Sequence, residues 1–216
     1  NRQVEDPLIG VSCTLPGWSV HINRQFPFIF PLNTRLLFLQ STSFGYSRLI
    51  EKWKLKNNES QSNSNTNNAI AELGRPNRHK IRISRKHILQ SGIKLLELYA
   101  SHSSVLEIEY FNEEGSGLGP TLEFYSVISK EFQKKSLKMW RGSLDNLTDS
   151  SYVMYQNGLF PAPMSNVMQS GAIGKKILSL FKMLGKLVGR SLLDGRLVDF
   201  AFNEVFFQIA GLIDEA

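Results

Sequence analysis

The sequence predicts a helix-dominated α+β fold. Three observations lead there. Apolar residues recur at helical spacing over several long stretches of the C-terminal two-thirds. A single segment among them, Val105 to Phe111, alternates with the period of a strand. The chain also has 216 residues with 42% hydrophobic and 20% charged side chains, enough for one sizeable core or two small ones and too apolar for a disordered tail.

The N-terminal third is rich in aromatic residues between Trp18 and Trp53. Within it, Phe26-Pro27-Phe28-Ile29-Phe30-Pro31 is punctuated by proline, so an extended arm is expected, followed by helices over Thr34 to Phe38 and Tyr46 to Lys54. The run Asn57 to Asn68 has no apolar side chain to offset its ordering entropy and reads as a flexible insert.

Beyond it, Ser84 is expected to cap a helix whose stripe is Leu89, Ile93, Leu96 and Ala100, widened by Ile88, Leu95 and Tyr99. The strand follows, with Leu106, Ile108 and Tyr110 facing inward and Glu107 and Glu109 facing water. Gly115-Ser116-Gly117-Leu118-Gly119 then makes a turn. Pro120 suits the first position of the next helix, on which Phe124, Val127, Ile128 and Phe132 form the apolar face.

Residues 141 to 171 read as loop, with a weak strand signal around Tyr152 to Tyr155. From Ile173, the positions Ile177, Leu180, Phe181, Leu184, Leu187, Val188 and Ser191 define a long core helix, with Lys175, Lys176, Lys182 and Lys186 off the stripe. Gly185 and Gly189 share a face and are expected to admit a neighbouring backbone, so Gly189→Leu should clash at a cost of about 1–3 kcal/mol. Phe200, Phe202, Val205, Phe206, Ile209 and Leu212 suggest a last helix.

Charge and motif content exclude several classes of chemistry. No apolar run reaches the length of a membrane span, and no signal peptide is expected at an N-terminus that reads as a cut from a longer chain. The single cysteine, Cys13, rules out an internal disulfide and has no basic pair or helix start to activate it. His21, His79, His87 and His102 lack ligand spacing, and Glu113 and Glu114 diverge on a turn, so neither a metal site nor an acid–base pair is expected. The glycine turn is no dinucleotide fingerprint, because Pro120 stands where the third glycine belongs. The net charge of +6 is concentrated in Arg75, Arg78, Lys80, Arg82, Arg85 and Lys86, most simply a solvated face. A noncatalytic module binding nucleic acid or protein through Arg75–Lys86 is the alternative reading.

The wording from Leu106 to Tyr125, Leu-Glu-Ile-Glu-Tyr-Phe-Asn-Glu-Glu-Gly-Ser-Gly-Leu-Gly-Pro-Thr-Leu-Glu-Phe-Tyr, resembles the N-lobe of the HECT ubiquitin ligases. Three further pieces keep the family's order: the helix from Ser84 to Ala100, Asn157-Gly158-Leu159-Phe160 with Pro161 and Pro163, and the stretch from Leu184 to Asp199. Gly117 to Tyr125 and Trp140-Arg141-Gly142 are most similar to the ubiquitin-fusion-degradation branch, whereas the commoner pattern has an acidic turn and two adjacent glycines. The segment around Trp18 and Phe26 to Arg35 also resembles what precedes the HECT domain in that branch.

The resemblance implies the large subdomain of a HECT N-lobe preceded by the aromatic-rich arm: residues 1–56 as a pre-HECT arm, 57–79 as a polar flexible linker and 80–216 as a partial N-lobe. It implies a ligase that takes ubiquitin from a conjugating enzyme as a thioester and passes it to substrate lysines for proteasomal degradation, in cytoplasm or nucleus. Its partners would be ubiquitin, the conjugating enzyme (through parts mostly absent here), substrates and the proteasome, with neither membrane nor nucleic acid expected. The C-lobe cysteine is expected to lie outside this chain, so no catalytic, cofactor-binding or metal residue is assigned and no cofactor is required.

Overall fold

The computed structural model describes residues 16–43, 78–102, 104–142, 151–153 and 157–213. The expected helix at Tyr46 to Lys54, the polar insert Asn57 to Asn68, and Cys13 lie outside them. The chain divides into two compact units. The first comprises Asn1–His79, Ser101–Leu106 and Leu192–Asp194; the second comprises Lys80–Ala100, Glu107–Ser191 and Gly195–Ala216.

In the first unit the stretch Phe26–Pro31, expected to be extended, holds a 3₁₀ turn between two helices, the second of which contains the helix expected over Thr34 to Phe38. Helix α1 spans Gly17–Gln25, a 3₁₀ turn spans Pro27–Ile29, and α2 spans Leu32–Ser43. The prolines fall between helices instead of preventing them. Pro27 sits at the first position of the 3₁₀ turn, where a missing N–H costs nothing, and Pro31 accepts from Arg35 N–H at 3.2 Å at the start of α2. Among the described residues Trp18, Phe26 and Phe28 are exposed, Phe28 being 81% accessible.

A strand the sequence reading missed precedes the expected first helix. Strand β1, Arg78–Ile83, lies in the basic run and alternates in burial, with Arg78, Lys80 and Arg82 outward and Ile83 buried. It pairs with β2, Val105–Tyr110, in a two-stranded sheet whose C-terminal ends meet, Phe111 N–H donating to Ile83 O at 3.1 Å. The intervening helix α3 is Ile88–Tyr99, so Ser84 is not its cap. The strand occupies the residues before Ser84, and a turn separates it from the helix. The buried line of α3 is Ile88, Gly92, Leu95 and Leu96, with the expected Leu89 and Ile93 only half-buried. The face is rotated because Gly92 meets the helix that follows β2: a Cβ there would collide with Ile128 Cδ1 and touch Phe124 Cε2 at 3.4 Å.

Helix α4, Leu118–Phe132, begins two residues before Pro120 and buries Thr121, Phe124, Tyr125, Ile128, Ser129 and Phe132. A second 3₁₀ turn, Lys135–Leu137, leads into a segment anchored at Trp140, whose indole N–H donates to Phe132 O at 2.7 Å and so satisfies the C-terminal end of α4. The region expected to be loop contains a short helix, α5 at Asn166–Ser170, whose N-cap Ser165 accepts from Met168 N–H at 3.3 Å.

The long helix α6, Ala172–Asp194, buries Ile177, Leu180, Leu184, Leu187 and Ser191 as its periodicity requires, and adds Gly174, Met183 and Arg190. Arg190 is 1% exposed and donates to Tyr99 O and Ala100 O at 3.3 and 3.4 Å, neutralising the carbonyl end of α3. The expectation for Gly185 and Gly189 is overturned. A Cβ at either position meets nothing within 4 Å among the described residues, so none of their backbone presses on either glycine. The final helix, α7, is Glu204–Ile213; Phe200 and Phe202 precede it in extended chain.

Candidate functional site

Two clusters in the second unit gather the residues the sequence singled out. The first is an ionic clamp. Arg85, in the turn between β1 and α3, reaches Glu113 beyond β2 and Glu123 on α4, each at 2.6 Å, with its guanidinium 4.1 Å above the Tyr110 ring. The Arg85 bonds hold the carboxyls of Glu113 and Glu123 below their ordinary range, and those same bonds raise Arg85 above its own. Lys80 and Arg82 meet Glu109 at 3.5 and 3.1 Å, and the Arg82 bond is the larger cause of the lowered Glu109 carboxyl. Burial pushes the Tyr110 hydroxyl up to about 12.

This clamp corrects two expectations. Glu107 does not face water, being 8% exposed, and Glu109 lies under two cations, so β2 has no wet carboxylate face. Glu113, on the turn beyond β2, stays exposed and is held by Arg85. Lys80 and Arg82 of the paired strand reach across to Glu109 on the side expected to face water. The alternating Arg-His-Lys-Ile-Arg-Ile of 78–83 was the available signal, obscured because its charge density reads as linker.

The second cluster is an aromatic seam. Trp140 packs edge-on to Phe181 of α6 at 5.3 Å and lies 6.0 Å from Phe202, which stacks on Phe200 and Phe206 at 5.1 and 5.4 Å. Backbone pairing holds the seam together. Leu159 N–H donates to Ala201 O at 2.6 Å, Asn203 N–H returns to Leu159 O at 3.0 Å, and Arg141 N–H donates to Phe160 O at 2.8 Å. Gly158 makes the first of these possible: its φ is +86°, and a Cβ would stand 2.8 Å from Ala201 O. Asn203 closes the start of α7, its Oδ1 accepting from Val205 N–H at 2.9 Å. Neither this pairing nor the burial of Trp140 was visible in the sequence, because the partners lie far apart along the chain.

Of the histidines, His79 and His102 come together in the first unit with ring centroids 6.2 Å apart, and Ser104 Oγ lies 3.3 Å from His102 Nδ1. Among the described residues no group of three or more His, Cys, Asp or Glu side chains could hold a metal. Nor is any of their helices long and apolar enough to cross a membrane. The clusters therefore brace and present surfaces; they do not assemble a nucleophile with a base.

Residues 126–212, from the middle of α4 to the last turn of α7, match the profile of the HECT-domain (ubiquitin-transferase) family. Across 96% of its own length it is 48% identical to ubiquitin fusion degradation protein 4 of Saccharomyces cerevisiae over 215 residues. It is 42% identical over 207 residues to a probable ubiquitin fusion degradation protein of Schizosaccharomyces pombe, and 37% over 227 residues to the E3 ubiquitin-protein ligase UPL3 of Arabidopsis thaliana, again across 96% of the chain. It is related to E3 ligases of this type, and it spans 14%, 12% and 12% of the length of these three relatives.

Proposed function

We propose that this chain is the scaffold portion of a HECT-type ubiquitin-protein ligase, a large N-lobe subdomain at 80–216 joined through a polar linker at 57–79 to a pre-HECT segment at 1–56. The observation that carries the reading is the relationship to ubiquitin fusion degradation proteins and UPL3 across 96% of the chain. In this reading ubiquitin passes from a conjugating enzyme to a ligase thiolate and then to a substrate lysine, marking proteins for proteasomal degradation. Acyl transfer is thereby divided between two thioester-level steps. The matched segment 126–212 contains no cysteine, and Cys13 lies upstream of it, so the accepting thiolate is assigned to a part of the ligase outside this chain. The braced strand-helix clamp and the aromatic seam suit a platform on which other lobes move. Action in the cytoplasm or nucleus belongs to the same proposal.

The alternative, nucleic-acid binding through Arg75–Lys86, is weakened by the geometry, since Lys80, Arg82 and Arg85 are engaged by Glu109, Glu113 and Glu123. The test is thioester transfer with activating enzyme, a panel of conjugating enzymes and labelled ubiquitin. This chain is compared with a version extended to the span of its relatives. A reducible ubiquitin adduct on the extended protein alone is expected; no adduct on either, with active controls, overturns the reading.

A further inference from the structure

Between the 3₁₀ turn at Lys135–Leu137 and the first turns of α6 lies a groove of about 210 Å³. Its floor is apolar, with Ile177 and Leu180 buried and Leu137 half-buried; Ile173, 56% exposed, stands at one edge beside the exposed Lys138 and Lys176. None of its lining residues is acidic.

Four cations of the same unit are matched by carboxylates: Lys80 and Arg82 by Glu109, Arg85 by Glu113 and Glu123, and Lys134 by Glu131. Lys138 and Lys176 are not ion-paired among the described residues. The groove is smaller than the roughly 300–1,000 Å³ typical of small-molecule sites, and suits a single side chain better than a cofactor. An apolar slot beside two ammonium groups that have no carboxylate partner among the described residues favours acidic flanks and penalises basic ones.

We propose that this groove docks a short acidic peptide segment of a partner protein, one aliphatic side chain filling the slot and flanking carboxylates meeting Lys138 and Lys176. The proposal is independent of the ubiquitin-transfer reading. Fluorescence anisotropy of a fluorescein-labelled Glu-Asp-Leu-Glu-Asp peptide against the 216-residue chain tests it. Three comparisons are expected to weaken binding by roughly tenfold or more: the K138E/K176E variant, a probe with serine for its leucine, and a basic Lys-Arg-Leu-Lys-Arg probe. The two probe changes use the unaltered protein, so they decide the matter even where the double variant unfolds. Undetectable binding of the acidic probe, equal affinity of the serine probe, or tighter binding of the basic one overturns the proposal.

Discussion

Thr121 stands where β2 meets α4, and its hydroxyl joins the two. It donates to Gly117 O at 2.7 Å and accepts from Ile108 N–H at 3.0 Å, so a buried backbone donor depends on one side-chain oxygen. Thr121→Val keeps the shape and strands that donor, which should cost about 1–3 kcal/mol. Tyr110, two residues beyond Ile108 on the strand, presents the opposite case. Its hydroxyl is buried without a hydrogen-bond partner among the described residues, so Tyr110→Phe should be neutral or stabilise by about 1 kcal/mol. Denaturant midpoints of the two variants, shifting in opposite directions or with only the first falling, check both; a comparable loss in Tyr110→Phe would show that the hydroxyl has a partner.

At the scale of elements, the glycines show how far helical spacing can be trusted. Gly185 and Gly189 sit four apart on α6 and look like a packing notch, yet the face they open carries no close neighbour among the described residues. Gly92, which has no glycine partner on α3, is where a Cβ would run into Ile128 of α4. Gly189→Ala should therefore stabilise by about 0.5–1 kcal/mol through helix propensity. Gly92→Ala should lose about 1 kcal/mol net, because the fully buried Ile128 has no space into which to retreat. Urea unfolding of the two single variants separates them, and a destabilised Gly189→Ala would place an unseen neighbour on that face. Helical periodicity tells which residues share a face; it does not tell which face the rest of the chain covers.

For the whole molecule, the carboxylates of the clamp couple stability to pH. Glu109, Glu113 and Glu123 all titrate below their ordinary value of 4.5 in the folded state. Their contribution is thus complete above that value and is lost as pH falls through the lower folded values. Thermal midpoints measured from about pH 6 down to about pH 3 should hold steady and then decline, with the gap between wild type and Arg85→Ala narrowing as the acid limb is entered. Because Arg85, Glu113 and Glu123 are exposed, added salt should shrink that gap near neutrality. A gap independent of both pH and salt would assign Arg85's role to its contact with Tyr110 alone.

What the sequence determined by itself were features written in neighbouring residues: a helix-dominated chain, the buried stripes of α4 and α6, the turn ahead of α4, and the resemblance carried by 106–125. Periodicity suffices for these because each depends on local geometry and a single apolar face. Tertiary structure alone decided that the basic run becomes β1 and finds its counter-charges on β2 and α4, that Glu107 is buried, and that the proline-punctuated stretch holds a 3₁₀ turn between two helices. It also decided that Phe202 returns to Trp140 across some sixty residues. Charge pairing, strand partners and the covered side of a helix are set by whatever the chain brings back from a distance. The clamp, the seam and the lysine-edged groove are all of that kind, and so no short window of the sequence could contain them.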